Sequence, residues 1–273
     1  MACRRLAALA LAMAASCAIA APEAVRKEIV DRLQKQLPQL SGADFALGSA
    51  AFDDALRAKI DENAGDAAPI VAAGHKVWIA KFKDGRSLAN CFPNGGRRIV
   101  GNYPQYNARL KRVVTLEMAI NQCRKAHKEA LFDPTDAATM GAALAYVRSL
   151  SDNLKVAVRV PPAAEPSFEN GRRMYFTRMG QRNFACASCH LQGAGERFDG
   201  AALSPAIGQA THWPVIREAA PVTMQARVRE CLELMGAAPF AAGSDELNDL
   251  EYFLSYLSTG LPLKANVWRP KAP

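Results

Sequence analysis

The chain has 273 residues, half of them hydrophobic and 22% charged, with a formal net charge of +8. That is apolar material enough for one large domain or two small ones, each with a packed core. The basic balance suits anionic partners, but there is no aromatic-studded basic stripe and no later segment apolar enough to span a bilayer, which argues against a nucleic-acid-binding protein and against a membrane anchor.

The first element is a leader. Arg4 and Arg5 form a charged n-region, residues 6–15 an apolar h-region, and Ala18-Ile19-Ala20 an A-x-A cleavage site, so residues 1–20 read as a signal peptide and the mature protein as periplasmic. The apolar run is too short to cross a membrane. Cys17 faintly resembles a lipoprotein acceptor, but the A-x-A site just after it is better formed. Cleavage removes Cys3, Cys17 and two positive charges, leaving a formal charge of +6 and five cysteines: Cys91, Cys123, Cys186, Cys189 and Cys231.

Apolar residues at helical spacing then predict helices over 25–37, 52–60, 114–131, 138–150, 168–179, 224–235 and 247–257. No run of period-two alternation is long enough for a sheet-based domain. Residues 160–166 form a proline-rich joint, expected to be extended because proline removes a donor and biases its predecessor away from helix. The tail, 261–273, is expected to be irregular.

Cys186-Ala187-Ser188-Cys189-His190 is the C-x-x-C-H pattern that attaches a c-type haem. Two thiols at that spacing can form thioethers to the two vinyl groups of one porphyrin, and the adjacent imidazole is placed to bind the iron from the proximal side. A thioredoxin-like pair or half a zinc site are the alternatives. The first wants a strand-to-helix context and the second a further Cys or His pair nearby, which does not follow.

An internal repeat accounts for the other cysteines. Gly74-His75-Lys76-Val77-Trp78 precedes Cys91 much as Gly171-Arg172-Arg173-Met174-Tyr175 precedes Cys189, and residues 88–92 lie over 186–190 with one residue of slippage. Thr115-Leu116-Glu117 leads to Cys123 at the separation at which Thr223-Met224-Gln225 leads to Cys231, and residues 145–151 echo 253–258. Each copy reads as helix, cysteine-bearing loop, second cysteine and closing helix. The expected fold is mainly α, with two cytochrome-c-like lobes: residues 21–160 without haem and residues 161–273 with one covalent haem c.

In the first lobe Cys91 and Cys123 would face each other across an absent porphyrin, and oxidation to a disulfide is the economical outcome in an oxidising compartment. Two separate buried thiols are the alternative. His127 is expected on the surface, and His75 and His212 as structural residues, since none has a ligand-spaced partner. In the second lobe Cys231 falls where ordinary cytochromes c place an axial methionine, with Met224 and Met235 competing in the same segment. A thiolate ligand would lower the potential relative to methionine. Arg227 lies one turn before Cys231 on the same helix face, where its fork can stabilise a thiolate and bind an oxyanion; Arg229 reads equally well as a solvated helix residue.

These residues resemble the A subunit of the periplasmic sulfur-oxidising c-type cytochrome, SoxA, in its single-haem form. The likeness spans both lobes and is most specific in 101–106, in Thr115-Leu116-Glu117 with Asn121-Gln122-Cys123-Arg124, in 186–190 and in 225–231. Two-haem relatives carry a complete C-x-x-C-H in the first lobe, where this chain has Leu88 and Phe92. The resemblance implies a heterodimer with a smaller cytochrome, SoxX, and oxidative joining of thiosulfate to a cysteine of a SoxYZ carrier, two electrons passing to a downstream cytochrome c. It also implies that Cys186 and Cys189 are the thioether donors, His190 the proximal ligand, Cys231 the distal ligand and reactive sulfur, carried as a persulfide in that family, and Arg227 its catalytic neighbour. A plain electron carrier with Met224 or Met235 as ligand, and a docking subunit with catalysis elsewhere, are the other classes.

Overall fold

The computed structural model describes residues 21–198 and 200–270, so the leader reading falls outside the described residues. Helix α1 (Pro22–Gln36) starts with proline in its first turn and turns Val25, Ile29 and Leu33 inward. Helices α2 (Asp54–Glu62), α3 (Ala67–Ile79) and the one-turn α4 (Leu88–Cys91) follow. Ribbon β1 (Gln105–Asn107) with β2 (Arg112–Val114) leads into α5 (Leu116–Ala126), and α6 (Ala142–Ser149) closes the first half. Beyond it come α7 (Glu165–Phe176), ribbon β3 (Arg197–Phe198) with β4 (Ala201–Ala202), ribbon β5 (Val215–Arg217) with β6 (Ala220–Val222), α8 (Met224–Leu234) and α9 (Asp245–Leu257). All three ribbons are antiparallel and two or three residues long, so the molecule is mainly helical.

A close helix crossing at a glycine occurs in each half. In the first, Gly74 brings α3 against α6 so closely that a Cβ there would lie 1.9 Å from the Ala142 carbonyl oxygen; in the second, Gly171 brings α7 against α9 and a Cβ would lie 2.0 Å from that of Asp249. Only glycine fits either crossing. The ribbon before α5 ends in Thr115, whose hydroxyl caps the helix by accepting from Met118 N (3.3 Å), and the ribbon before α8 ends in Thr223, which accepts from Ala226 N (3.2 Å). Cys123 and Cys231 each lie two turns inside those helices.

One continuous apolar core runs through both halves, with Trp78, Leu116 and Ile120 on one side and Phe168, Tyr175 and Phe253 on the other. The leading segment packs across on the second half: Arg26 Nη2 donates to Thr259 O (2.8 Å), Tyr256 OH to Glu23 (2.9 Å) and Gln36 Nε2 to Gln192 O (3.1 Å). The joint after residue 160 is not wholly extended. Residues Pro162–Ala164 make a single 3₁₀ turn that runs into α7, Ala164 is fully buried, and the Arg159 carbonyl accepts from Tyr252 OH.

Cys91 and Cys123 are joined, closing a loop of 32 residues between α4 and α5. In the chain-entropy model such a loop contributes roughly 3 to 4 kcal/mol. Replacing both by serine should therefore lower unfolding free energy by about 2 to 5 kcal/mol in denaturant titration, and peptide mapping without reductant should recover the two cysteines together.

A buried polar cluster sits where α5, α6, α8 and α9 meet. Gln225 Nε2 donates to Asn248 Oδ1 and Glu251 Oε2, both at 3.0 Å, and its Oε1 accepts from Gly243 N (2.8 Å). Burial, with Glu117 as the next cause, pushes the Glu251 carboxyl up to about 8 against the pull of Arg148. The folded state thus holds a proton that the unfolded chain releases near the ordinary carboxylate range, so this residue's contribution is present at low pH and is lost as pH rises to about 8. Glu251→Gln should flatten stability between about pH 4.5 and 8, read by thermal melts across that range.

Candidate functional site

After α7 the chain doubles back over residues 177–184, where Met179 N donates to Phe184 O (3.0 Å). This turn is tied to the end of α8 by Gln181 N to Gly236 O (3.3 Å) and Arg182 N to Met235 O (3.1 Å). Cys186 then begins a helical turn that widens into a π-type turn over Ser188–Gln192. Residues three apart on a helical turn share a face. Accordingly Cys186 and Cys189 line the same cavity, of about 310 Å³.

His190 lines it too. Its Nδ1 is 2.8 Å from the Ser204 carbonyl oxygen; a carbonyl only accepts, so Nδ1 carries the proton and Nε2 keeps a free lone pair. Burial lowers the His190 pKa, with Arg227 pulling the same way and the Ser204 bond opposing. A neutral imidazole, the metal-binding form, results.

Helix α8 supplies another wall. Met224, Arg227, Val228, Cys231 and Met235, at steps of three and four, all line the cavity. Burial pushes the Cys231 thiol up, Arg227 and Arg217 pull it down, and Glu230 opposes them. Burial likewise pushes Cys186 up to about 12, with the Cys231 sulfur as the next cause. Arg227 Nη1 lies 3.3 Å from Glu230 Oε2, and Arg217 Nη1, on β5, lies 2.9 Å from the same atom. Two guanidiniums share one carboxylate, which leaves net positive charge beside Cys231. The buried Nε of Arg217 has no hydrogen-bond partner.

The structure therefore brings Cys186, Cys189, His190, Cys231 and Arg227 together, while Arg229 is not among the lining residues and acts on Asp133 instead. Sequence reasoning missed Arg217 and Glu230, although the spacing of Arg227 and Glu230 on one helix was a readable ion-pair signal. It also missed that His212, buried beside Trp213, lines the cavity. His127 is not a plain surface residue: it caps α5, lies 2.6 Å from Asp84 through Nδ1 and stacks on Phe82. His75 is exposed against Tyr146.

The donor set fits a haem: two thiols at the attachment spacing, a histidine with one free nitrogen, and apolar walls that include Phe184, Trp213, Leu250 and Leu254. A mainly helical chain that folds a C-x-x-C-H run onto such a cavity is a c-type cytochrome. The family model "SoxA/TsdA, cytochrome c domain" matches residues 73–156 and 170–263. The L-cysteine S-thiosulfotransferase subunit SoxA of Chlorobaculum tepidum is 37% identical over 84% of this chain and 81% of its own length, and that of Allochromatium vinosum 34% identical over 89% of each. Among solved structures, SoxXA from P. pantotrophus matches with a TM-score of 0.71 and 26% identity, covering 80% of this chain and 84% of that one. The chain belongs to the SoxA family, which carries haem c. Among the described residues no helix is long and apolar enough to cross a membrane.

Proposed function

We propose that this protein is the cytochrome subunit of a periplasmic L-cysteine S-thiosulfotransferase. It joins thiosulfate to a cysteine of a SoxYZ-like carrier: a carrier thiol and the thiosulfate dianion become a carrier-bound S–S–SO₃⁻ group, one proton and two electrons, the electrons leaving to a downstream cytochrome c. The observation that carries the reading is the convergence of Cys186, Cys189, His190 and Cys231 on one cavity in a chain of the SoxA family.

In this reading Cys186 and Cys189 would hold one haem c through thioethers, and His190 Nε2 and the Cys231 sulfur would bind its iron. When bound, the haem supplies the electron acceptor beside the reacting sulfur. Arg227 and Arg217 draw the dianion in and orient it, and the unsatisfied Nε of Arg217 gives an oxyanion a donor to meet. Their charge favours the Cys231 thiolate and so opposes the burial that pushes this thiol up, bringing positive charge to the sulfur where the sulfane sulfur arrives. The apolar lining excludes water from the reacting sulfurs.

The haem belongs to the second of two related lobes, residues 161–273, and residues 21–160 form a haem-free one whose leading segment packs across. The matched crossings at Gly74 and Gly171 and the equal placement of Cys123 and Cys231 support the repeat. In the first lobe Leu88 and Phe92 stand where a thioether cysteine and the histidine would be; both are buried core residues, and the Cys91–Cys123 bond supplies a cross-link in place of the haem. The likeness to a SoxXA complex supports a heterodimer with a small SoxX-like cytochrome, and the leader supports periplasmic location.

A second reading, an electron carrier without its own substrate, is favoured by Met224 and Met235, which line the same cavity. The two separate on ligation. Pyridine haemochrome and intact mass should count one haem per chain, and EPR and near-infrared spectra of the ferric protein should give the histidine–thiolate signature. Cys231→Met should raise the reduction potential, erase that signature and lower carrier-dependent thiosulfate turnover severely; unchanged turnover would leave the carrier reading in its place. Arg227→Ala should keep haem and fold while lowering turnover by about 10- to 100-fold, the worth of one charge-assisted hydrogen bond of ~1.5–3 kcal/mol.

A further inference from the structure

Among the described residues after α9 there is no helix, yet backbone bonds pin the stretch 263–269: Leu263 N to Leu154 O (2.7 Å), Lys264 N to Thr211 O (2.8 Å), Asn266 N to Pro214 O (3.0 Å), Ile216 N to Val267 O (2.9 Å) and Arg269 N to Ile216 O (2.9 Å). This strap carries Arg269 into the wall of the cavity that Cys186, His190 and Cys231 line. The guanidinium donates to two main-chain carbonyls, Trp268 O (3.2 Å) and Leu47 O (3.1 Å). Among the described residues it has no carboxylate within ion-pairing distance.

Arg269 differs in this from the arginines near Cys231, which share Glu230. It also lies elsewhere in the cavity. A Cβ on Gly48 would sit 3.5 Å from His212 Cε1, 3.7 Å from Ser204 Cβ and 3.8 Å from Arg269 Nη2, so those three residues converge on one point, and Ser204 is the residue that orients His190. Burial lowers the Arg269 guanidinium to about 10, and burial with Arg269 as the next cause lowers His212 to about 3, leaving its ring neutral. A cation held in a largely desolvated wall with no counter-charge is costly. A planar fork of donors is the geometry that recognises a carboxylate.

We propose that Arg269 is a positioning residue that holds the haem propionates, so that the C-terminal strap serves as the counter-ion of the cofactor while Arg227 and Arg217 face the substrate. The inference rests on the haem reading above. The same fork could instead take an inorganic oxyanion, and the two sources separate experimentally.

The test uses the full haem-loaded protein with its partner subunit, and compares wild type with Arg269→Gln and Arg269→Lys. Haemochrome analysis of the wild type comes first; absence of haem there fails the haem reading itself, before any variant is compared. Arg269→Gln should retain one haem per chain but show a lower midpoint potential, because loss of a nearby positive charge favours the ferric state, and a shifted propionate bending band in the resonance Raman spectrum. Arg269→Lys should return most of the potential while the band stays shifted, since charge is kept and the fork is lost. An unshifted band and unchanged potential in Arg269→Gln overturn the proposal, as does a variant whose sole effect is a raised thiosulfate requirement. If Arg269→Gln does not accumulate, an unshifted band in Arg269→Lys overturns it equally.

Discussion

Backbone contact between α7 and α9 at Gly171 is the constraint from which the cavity follows. With no side chain between the helices, the Asp249 carbonyl and the Phe253 Cβ come so close that even a methyl group would have to displace main chain. The aromatic rings flanking the crossing then interlock, Phe168 and Tyr175 each meeting Phe253 at centroid separations of 5.3 and 5.4 Å. Leu250 and Leu254 of α9 are left to line the cavity, and the end of α7 sets where the turn carrying Cys186 begins. A displacement of α9 by one methyl thickness would move an entire wall.

The first half has a similarly close helix crossing at Gly74. Beside α3 and α6, Trp78 packs on Phe92 at 5.1 Å and anchors its indole N–H on Gly95 O (2.8 Å), and Leu88 is fully buried. Across the second crossing, thiols, an imidazole and arginines line open volume. Large aromatic and aliphatic side chains thus pack beside one glycine crossing, and the cavity with its cysteines, histidine and arginines lies beside the other. The first half is cross-linked by a covalent bond between Cys91 and Cys123.

Much of this was legible in the sequence where the signal is local. The C-x-x-C-H run, the helical periods of α1, α6, α8 and α9, and the threonine-to-cysteine spacing in both halves depend on residues within two or three turns of one another. Helix α3 escaped the periodicity although the repeat required a helix there, because its run of alanines with valine and isoleucine offers little polar contrast around the barrel. The predicted helix over 114–131 was too long at both ends: β2 takes Val114, and Lys128 turns left-handed at φ 57° after His127 caps the helix. Arg217 and Arg269 could not be read at all, since only pairing between distant stretches of backbone brings them to the cavity.

The strap has one more bearing, on how the molecule is made. Protein synthesis proceeds from the N-terminus, so residues 264–270, which complete one wall, are made about eighty residues after Cys186. Until then that side of the cavity lacks its strap. That wall closes only after a stretch far downstream of the paired thiols has been made, so the irregular strap acts as a latch on the side of the cavity that Arg269 lines.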